Sequence, residues 1–262
     1  MRVLITGASR GLGAAIARAF ARHHGADAQI ALLGRSGAAP SHRSLEGTLR
    51  ETQRDVEAHG ALGVPFEVDL RDGEQLARTL KDVLHAFDGL DVLINNASVL
   101  RPERTLPAKR MDLVHAVNAR ATLLCLQECR EALEASPRGG SIVTIAPPVR
   151  LGRLEWIARS PAYTLSKYQM SLATLAAASA RVRANCLWPK RTVATAATKM
   201  LEERGIVPGA HSKGRRADAV AEAVHLLATR STLNAAAVLD EDLVTFDHGH
   251  DAPLDAYVSE DD

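Results

Sequence analysis

The chain is predicted to fold as an α/β protein, a Rossmann-like doubly wound parallel sheet with helices on both faces. Three observations predict this. Short apolar runs alternate with longer stretches of helical spacing along most of the 262 residues, as strands buried on both faces require. The first run ends in closely spaced glycines, and no repeat or low-complexity linker divides the sequence. One domain over residues 1–262 is expected, with an acidic C-terminal tail from about residue 240.

Each element follows from local chemistry. Val3-Leu4-Ile5 reads as a strand, Ile16, Ala19 and Phe20 then recur at helical spacing, and Arg22 to Gly25 closes that helix. Gln29 to Leu33 is a second strand, and Ser36 to Ser44 is a loop of small and polar residues. Leu45 to His59 is a helix with Gly60 past its end. Val64 to Val68 is a third strand, Gly73 to Phe87 a third helix, and Val92-Leu93-Ile94 a fourth strand that runs into Asn95-Asn96-Ala97-Ser98. A long helix from about Lys109 to Leu133 precedes a fifth strand, Ser141 to Ile145. Tyr163 to Ala178 is helical, Arg183 to Leu187 a strand, Ala217 to Leu227 a helix and Ala236 to Leu239 a last short strand. The connections should be right-handed crossovers. In the tail, Phe246 and Tyr257 are among the few apolar anchors.

Composition narrows the function. Hydrophobic residues at 46% and charged residues at 24% suit a soluble globule. A net charge of +1 with no basic stripe argues against a nucleic-acid partner and leaves small molecules. The apolar runs are too short for a membrane span. Cys125, Cys129 and Cys186 are odd in number and lack zinc-ligand spacing, so packed free thiols are expected. Met1-Arg2 leads straight into the first strand, with no room for a signal peptide, and a reducing, cytoplasmic compartment is expected. His248 and His250 beside Asp247 and Asp251 read as solvated side chains, and no metal is assigned.

The first turn, Thr6-Gly7-Ala8-Ser9-Arg10-Gly11-Leu12-Gly13, follows a strand and opens a helix. Such a turn lets backbone approach a pyrophosphate, and the helix amides face its charge. Alone, it is also what any tight loop with positive φ uses; its place after the first strand favours a dinucleotide. The second strand ends Leu33-Gly34-Arg35-Ser36 with no acid. A carboxylate there would suit a free ribose hydroxyl, whereas arginine suits a 2′-phosphate. Arg35 and Arg10 therefore point to NADP, and Asp69 at the third strand end is placed for the adenine amino group.

Tyr163 and Lys167 stand one helical turn apart on the crossover after the fifth strand, at the ligand-binding side of such a sheet. A tyrosine of pKa about 10 is a poor base. The nearby ammonium of Lys167, joined by the charge of an oxidised nicotinamide ring when the cofactor is bound, is expected to lower it towards neutrality. At the fifth strand end, Thr144-Ile145-Ala146-Pro147-Pro148 holds alanine and proline where a hydroxyl is expected.

With these residues in view the chain resembles the short-chain dehydrogenase/reductase family along nearly its whole length. The turn Thr6 to Gly13, Asn95-Asn96-Ala97, Asn118, Tyr163-x-x-x-Lys167 and Asn185 leading to Pro189 carry the resemblance. Ala162 to Tyr168, Leu187-Trp188-Pro189-Lys190 and Val238-Leu239-Asp240-Glu241 look like its hydroxysteroid dehydrogenase-like branch. Some members of that branch carry a sterol-carrier domain. The final Ser259-Glu260-Asp261-Asp262 is not a peroxisomal address.

The resemblance implies roles. Tyr163 exchanges a proton with the substrate oxygen, Lys167 binds the nicotinamide ribose, and Asn118 interrupts its helix and holds a water linked to Lys167. Asn95, Asn96, Ala97 and Pro189 line the cofactor site, and Thr195 meets the nicotinamide carboxamide region. The family usually places two serines where this chain has Ala146 and Pro147; Ser160 and Ser166 are the candidate replacements. The substrate wall is expected from Arg150 to Arg159, with Leu151, Arg153, Leu154, Trp156 and Ile157, and from Thr192 to Gly209. The implied activity is NADP-dependent interconversion of a carbonyl and an alcohol. The alternative is a weak or inactive NADP-binding protein that acts through assembly or redox sensing. A homodimer or homotetramer joined through the helices at Lys109 to Leu133 and Tyr163 to Ala178 is implied as well.

Overall fold

The first half of the chain forms β1 (Arg2–Thr6), α1 (Gly11–His24), β2 (Gln29–Gly34), α2 (Leu49–Glu57), β3 (Leu62–Glu67), α3 (Gly73–Phe87) and β4 (Val92–Asn95). Next come α4 (Ala108–Val114), a π-helical stretch His115–Arg120, α5 (Ala121–Glu134), β5 (Gly140–Ile145), α6 (Leu154–Arg159), α7 (Pro161–Ala176) and β6 (Val182–Trp188). The last elements are β7 (Val193–Ala194), α8 (Ala196–Glu203), β8 (Arg215–Arg216), α9 (Ala217–Thr229) and β9 (Ala237–Leu239). This computed structural model describes residues 1–39, 46–150 and 154–243.

Seven strands pair in parallel in the order β3-β2-β1-β4-β5-β6-β9. The order reverses between β1 and β4, and ligands bind at the carboxyl ends of strands beside such a reversal. Alternation along β1 explains the two helical layers. Val3 and Ile5 join a core with Ile16 and Phe20 of α1 and Val224 and Leu227 of α9. Leu4, pointing the other way, joins Leu76 and Leu80 of α3 and Leu126 of α5. The strand is therefore apolar at every position in this run, with no polar face to show.

Several boundaries differ from expectation for stated reasons. The helix expected from Leu45 begins at Leu49, because Thr48 and Glu51 form a reciprocal cap; Leu45 itself lies outside the described residues. Gly60 follows that helix with φ +84°, where an L side chain would be strained. The long helix from Lys109 is present, but Asn118 lies in its π-helical stretch. Helices α6 and α8 and the short β7–β8 pair, parallel at Val193↔Arg215, were not anticipated.

The three cysteines are buried free thiols, and burial pushes Cys125 and Cys186 up to about 12. Among the described residues no helix is long and apolar enough to cross a membrane. At the start of the acidic tail, Asp240 and Leu243 are buried. Phe246, His248, His250, Tyr257, Leu151 and Arg153 lie outside the described residues.

Candidate active site

The glycine turn is built jointly by two strands that are distant in sequence. Thr6 Oγ1 accepts from the Asn96 and Ala97 amides, each at 3.1 Å. Asn96 Nδ2 donates to the carbonyls of Thr6 at 2.9 Å and Gly7 at 3.2 Å. Gly7 adopts φ +69°, and a Cβ on Gly13 would stand 2.2 Å from the Gly7 oxygen. The first turn of α1 thus sits directly against the strand exit, with no side chain between them. That clearance is what a pyrophosphate seat at a helix N-terminus requires, and the residues present fit a dinucleotide. Thr195, at the start of α8, stands over the same turn: a Cβ on Gly11 would lie 3.3 Å from its Cγ2. Leu12 packs partly into the core. Ser9 is buried, with its Oγ 3.7 Å from where a Cβ of Gly34 would be.

One predicted member turns inward. Asn95 is buried, and its Nδ2 donates to Thr144 Oγ1 at 3.3 Å between β4 and β5. It braces the sheet, whereas Asn96 braces the turn.

Beside the turn the charges are positive. Arg10 donates to Ser36 Oγ at 2.5 Å. Burial lowers its pKa, and repulsion from Arg35 lowers it further, so the two guanidinium groups lie in one field. Arg35 also helps to hold the Asp69 carboxyl below its ordinary range, although Arg71 does most of this. Arg71 takes Asp69 Oδ2 at 2.5 Å and contributes its amide to Oδ1 at 3.0 Å. The expected adenine contact therefore has a competitor, because the Asp69 carboxylate already accepts from Arg71.

Tyr163 and Lys167 lie in the first two turns of α7, whose Pro161 starts the helix. Burial pushes the phenol up to about 12, opposed by a hydrogen bond with the Ser98 side chain. Lys167 is buried and pushed down to about 7 by the same loss of water. Its Nζ donates to the Ile145 carbonyl at 2.6 Å, and the Trp188 ring centroid lies 5.8 Å away. In the chain itself, burial opposed by Ser98 sets the direction of the phenol's shift.

Asn118 is fully buried. Its Oδ1 accepts from Val99 N at 2.7 Å, and its Nδ2 donates to Ser166 Oγ at 3.0 Å. It is therefore tied directly to α7 through Ser166, and its carbonyl accepts from Thr122 Oγ1 at 2.7 Å. Ser166 in turn donates to the Tyr163 carbonyl at 2.7 Å. That rules it out as a free replacement donor. Ser160 bonds Thr164 at 3.3 Å. At the end of β5, Ala146 and Pro147 are buried without a side-chain donor, and Pro147 O accepts from Ser171 at 2.6 Å. Thr144 is taken by Thr174 at 2.7 Å on the buried side.

Ser98 is the residue that sequence reasoning missed. It is exposed and directly follows Asn96-Ala97, which brace the glycine turn, and it acts to lower the Tyr163 phenol against burial. A lone serine after Asn-Asn-Ala carries no periodic signal, and only the fold brings it to Tyr163. At the exit of β6, Pro189 leads to Lys190, whose amide donates to Asp240 Oδ1 at 2.9 Å. Asp240 and Glu241 also receive the buried Arg215. The segment carrying Thr195 is thereby fastened at its far end.

The chain matches the short chain dehydrogenase family over residues 1–205. Hydroxysteroid dehydrogenase-like protein 2 of Homo sapiens is 36% identical over 248 residues, covering 92% of this chain and 57% of that protein. The Mus musculus protein of the same name is 35% identical, covering 92% and 48%. The chain thus spans about half the length of these curated relatives. Among solved structures, a Xanthomonas campestris protein is 34% identical with a TM-score of 0.86, covering 99% of this chain and 93% of its own. A short chain dehydrogenase from Mycobacterium thermoresistibile is 30% identical with a TM-score of 0.80, covering 95% and 87%.

Proposed function

The chain belongs to the short-chain dehydrogenase/reductase family, and from that premise we propose that it interconverts a small-molecule carbonyl and its alcohol with NADP. The observation that carries the reading is the glycine turn braced by Asn96 and Ala97, with the next residue, Ser98, acting on the Tyr163 phenol. Thr6, Gly7, Ser9, Gly11 and Gly13 would hold the cofactor's pyrophosphate, with Asn96, Pro189 and Thr195 towards its nicotinamide half. Arg10 and Arg35 would take the 2′-phosphate, which two neighbouring guanidiniums suit far better than a free hydroxyl. When bound, the nicotinamide supplies or accepts the hydride.

Tyr163 manages the proton. A phenol held near 12 is protonated at neutral pH, so it is ready to donate to a substrate oxygen that gains charge during reduction. Ser98 supplies the positioned donor that Ala146 and Pro147 lack. Lys167, held by the Ile145 carbonyl, lies one turn on to bind ribose hydroxyls and to gain charge as the phenol loses its proton. Leu123, Leu165 and Leu172 on α5 and α7 are 51%, 46% and 57% exposed, which supports homodimer or homotetramer assembly through those helices.

The test is turnover. The purified chain, NADPH and a broad panel of aldehydes and ketones should show substrate-dependent NADPH oxidation. Tight NADP binding with no turnover on any carbonyl or alcohol would favour the second reading, a binding protein without chemistry. The absence of a side-chain donor at Ala146 and Pro147 is the observation on its side.

A further inference from the structure

The end of α1 remote from the glycine turn holds an unusual cluster. His23 and His24 occupy its last turn, and α9 faces them with Glu222 and His225, three residues apart on one side of the helix. His23 Nε2 meets Glu222 Oε2 at 2.6 Å, and His24 Nε2 meets His225 Nε2 at 3.0 Å. The His23 and His225 rings stack with centroids 4.0 Å apart, and Phe20 closes the inner side edge-on at 5.1 Å.

Hydrogen bonding leaves this cluster incomplete. His225 is only 2% exposed, and its Nδ1 has no hydrogen-bond partner among the described residues. A buried ring nitrogen without a partner is costly, and in the tautomer in which His225 Nε2 donates to His24 its Nδ1 lone pair is a donor that a metal ion can use. One donor atom each from His23, Glu222 and His225 lies within 4.8 Å of the others. Tetrahedral zinc ligands stand roughly 3.3 Å apart, as bond lengths near 2 Å dictate. The His23 and His225 rings are stacked, so binding requires His23, which is exposed at the rim, to turn its ring out of the stack and aim its lone pair at the ion. The carbonyl end of α1 also favours a cation.

We propose that His23, Glu222 and His225 bind one divalent transition-metal ion of the zinc class, clamping the end of α1 to α9. Mixed imidazole and carboxylate ligands select such ions over calcium or magnesium. Arg22 takes the other carboxylate oxygen, Oε1, at 2.5 Å, leaving Oε2 for the ion and fixing the carboxylate from outside. His24 fixes the His225 ring in the same way. The site lies at the opposite end of α1 from the dinucleotide turn, so its role is structural.

The experiment uses the whole chain, freed of any histidine tag, titrated with Zn²⁺ by calorimetry and with Co²⁺ by visible absorption. One ion per chain, an intense tetrahedral cobalt band and a higher thermal midpoint with zinc are expected. His23→Ala and Glu222→Gln should each weaken binding roughly tenfold or more, with far-ultraviolet circular dichroism unchanged. His225→Gln should do the same, but that residue is buried, so the His23 and Glu222 variants decide. No stoichiometric uptake by the folded chain overturns the proposal. So does uptake of equal affinity in those two variants, which would place the ion on other histidines.

Discussion

Lys167 donates through Nζ to the main-chain oxygen of Ile145, the residue directly before Ala146. The amine is thus anchored to the end of the strand that carries Ala146 and Pro147 in place of hydroxyls, with no carboxylate partner among the described residues. Burial holds it near 7, so at neutral pH it exists in both protonation states and can respond to charge that develops nearby. In the proposed mechanism the chemistry rests on two hydroxyls, Tyr163 and Ser98.

Tyr163→Phe removes the proton donor and little else. We expect kcat to fall by about 10²-fold or more, while the NADPH dissociation constant, measured by fluorescence, changes less than threefold or so. Retained turnover would assign the proton to another group.

Ser98→Ala tests the replacement donor. Loss of one positioned donor costs roughly 3 kcal/mol in the transition state, about a hundredfold in kcat. KM should move little, and Ser98→Thr should recover part of the rate. Unaltered kcat in the alanine variant would leave the proton donor working alone.

Arg35→Ala separates the two cofactors. Losing one charge-assisted contact to a 2′-phosphate should weaken NADPH binding by about tenfold to a hundredfold, with NADH affinity unchanged. Equal losses for NADPH and NADH, compared by fluorescence titration, would count against NADP preference.

Gly13→Ala sets two effects against each other. Alanine favours a helix interior over glycine by roughly 1 kcal/mol. The new Cβ, however, would stand 2.2 Å from the Gly7 oxygen and 2.6 Å from Asn96 Nδ2. Overpacking of this kind costs about 1–3 kcal/mol, and the backbone it displaces is the cofactor turn. Urea unfolding should show a net loss of stability, and dinucleotide affinity should fall with it.

Asp91 gives the pH dependence. Burial works to raise its pKa, but bonds from Arg2 and Ser136 outweigh it and hold the carboxyl near 2. Arg2 N donates to Oδ2 at 2.8 Å, and Ser136 Oγ donates to Oδ1 at 2.8 Å. The folded pKa lies below the unfolded one, so the stabilisation is complete above about pH 4 and is lost as pH falls towards 2. Asp91→Asn should therefore cost about 2 kcal/mol at pH 7 in urea unfolding, and the gap to the parent should narrow as the pH drops below 4.

How much was legible depended on the range of the forces involved. The helix Gly73–Phe87 could be read to its ends, because its apolar spacing and the Asp72 cap are local. The turn at Gly7 was legible as a phosphate seat, but Asn95 and Asn96 could not be told apart, because their opposite orientations depend on the strands beside them. Helices α6 and α8 were missed as short segments without a clear apolar period. Helical spacing places Lys167 near Tyr163 but says nothing of water, and in the chain itself burial raises the phenol. Burial decided the sign.

The bonds from Asn96 to Thr6 and Gly7 span about ninety residues of sequence. A nascent chain that has made only its first three strands lacks the amide that stitches the first loop into shape. Closing so long a segment is entropically expensive. Competence to hold a nucleotide is therefore acquired late in folding, when β4 docks beside β1, rather than when the opening strand and helix first form.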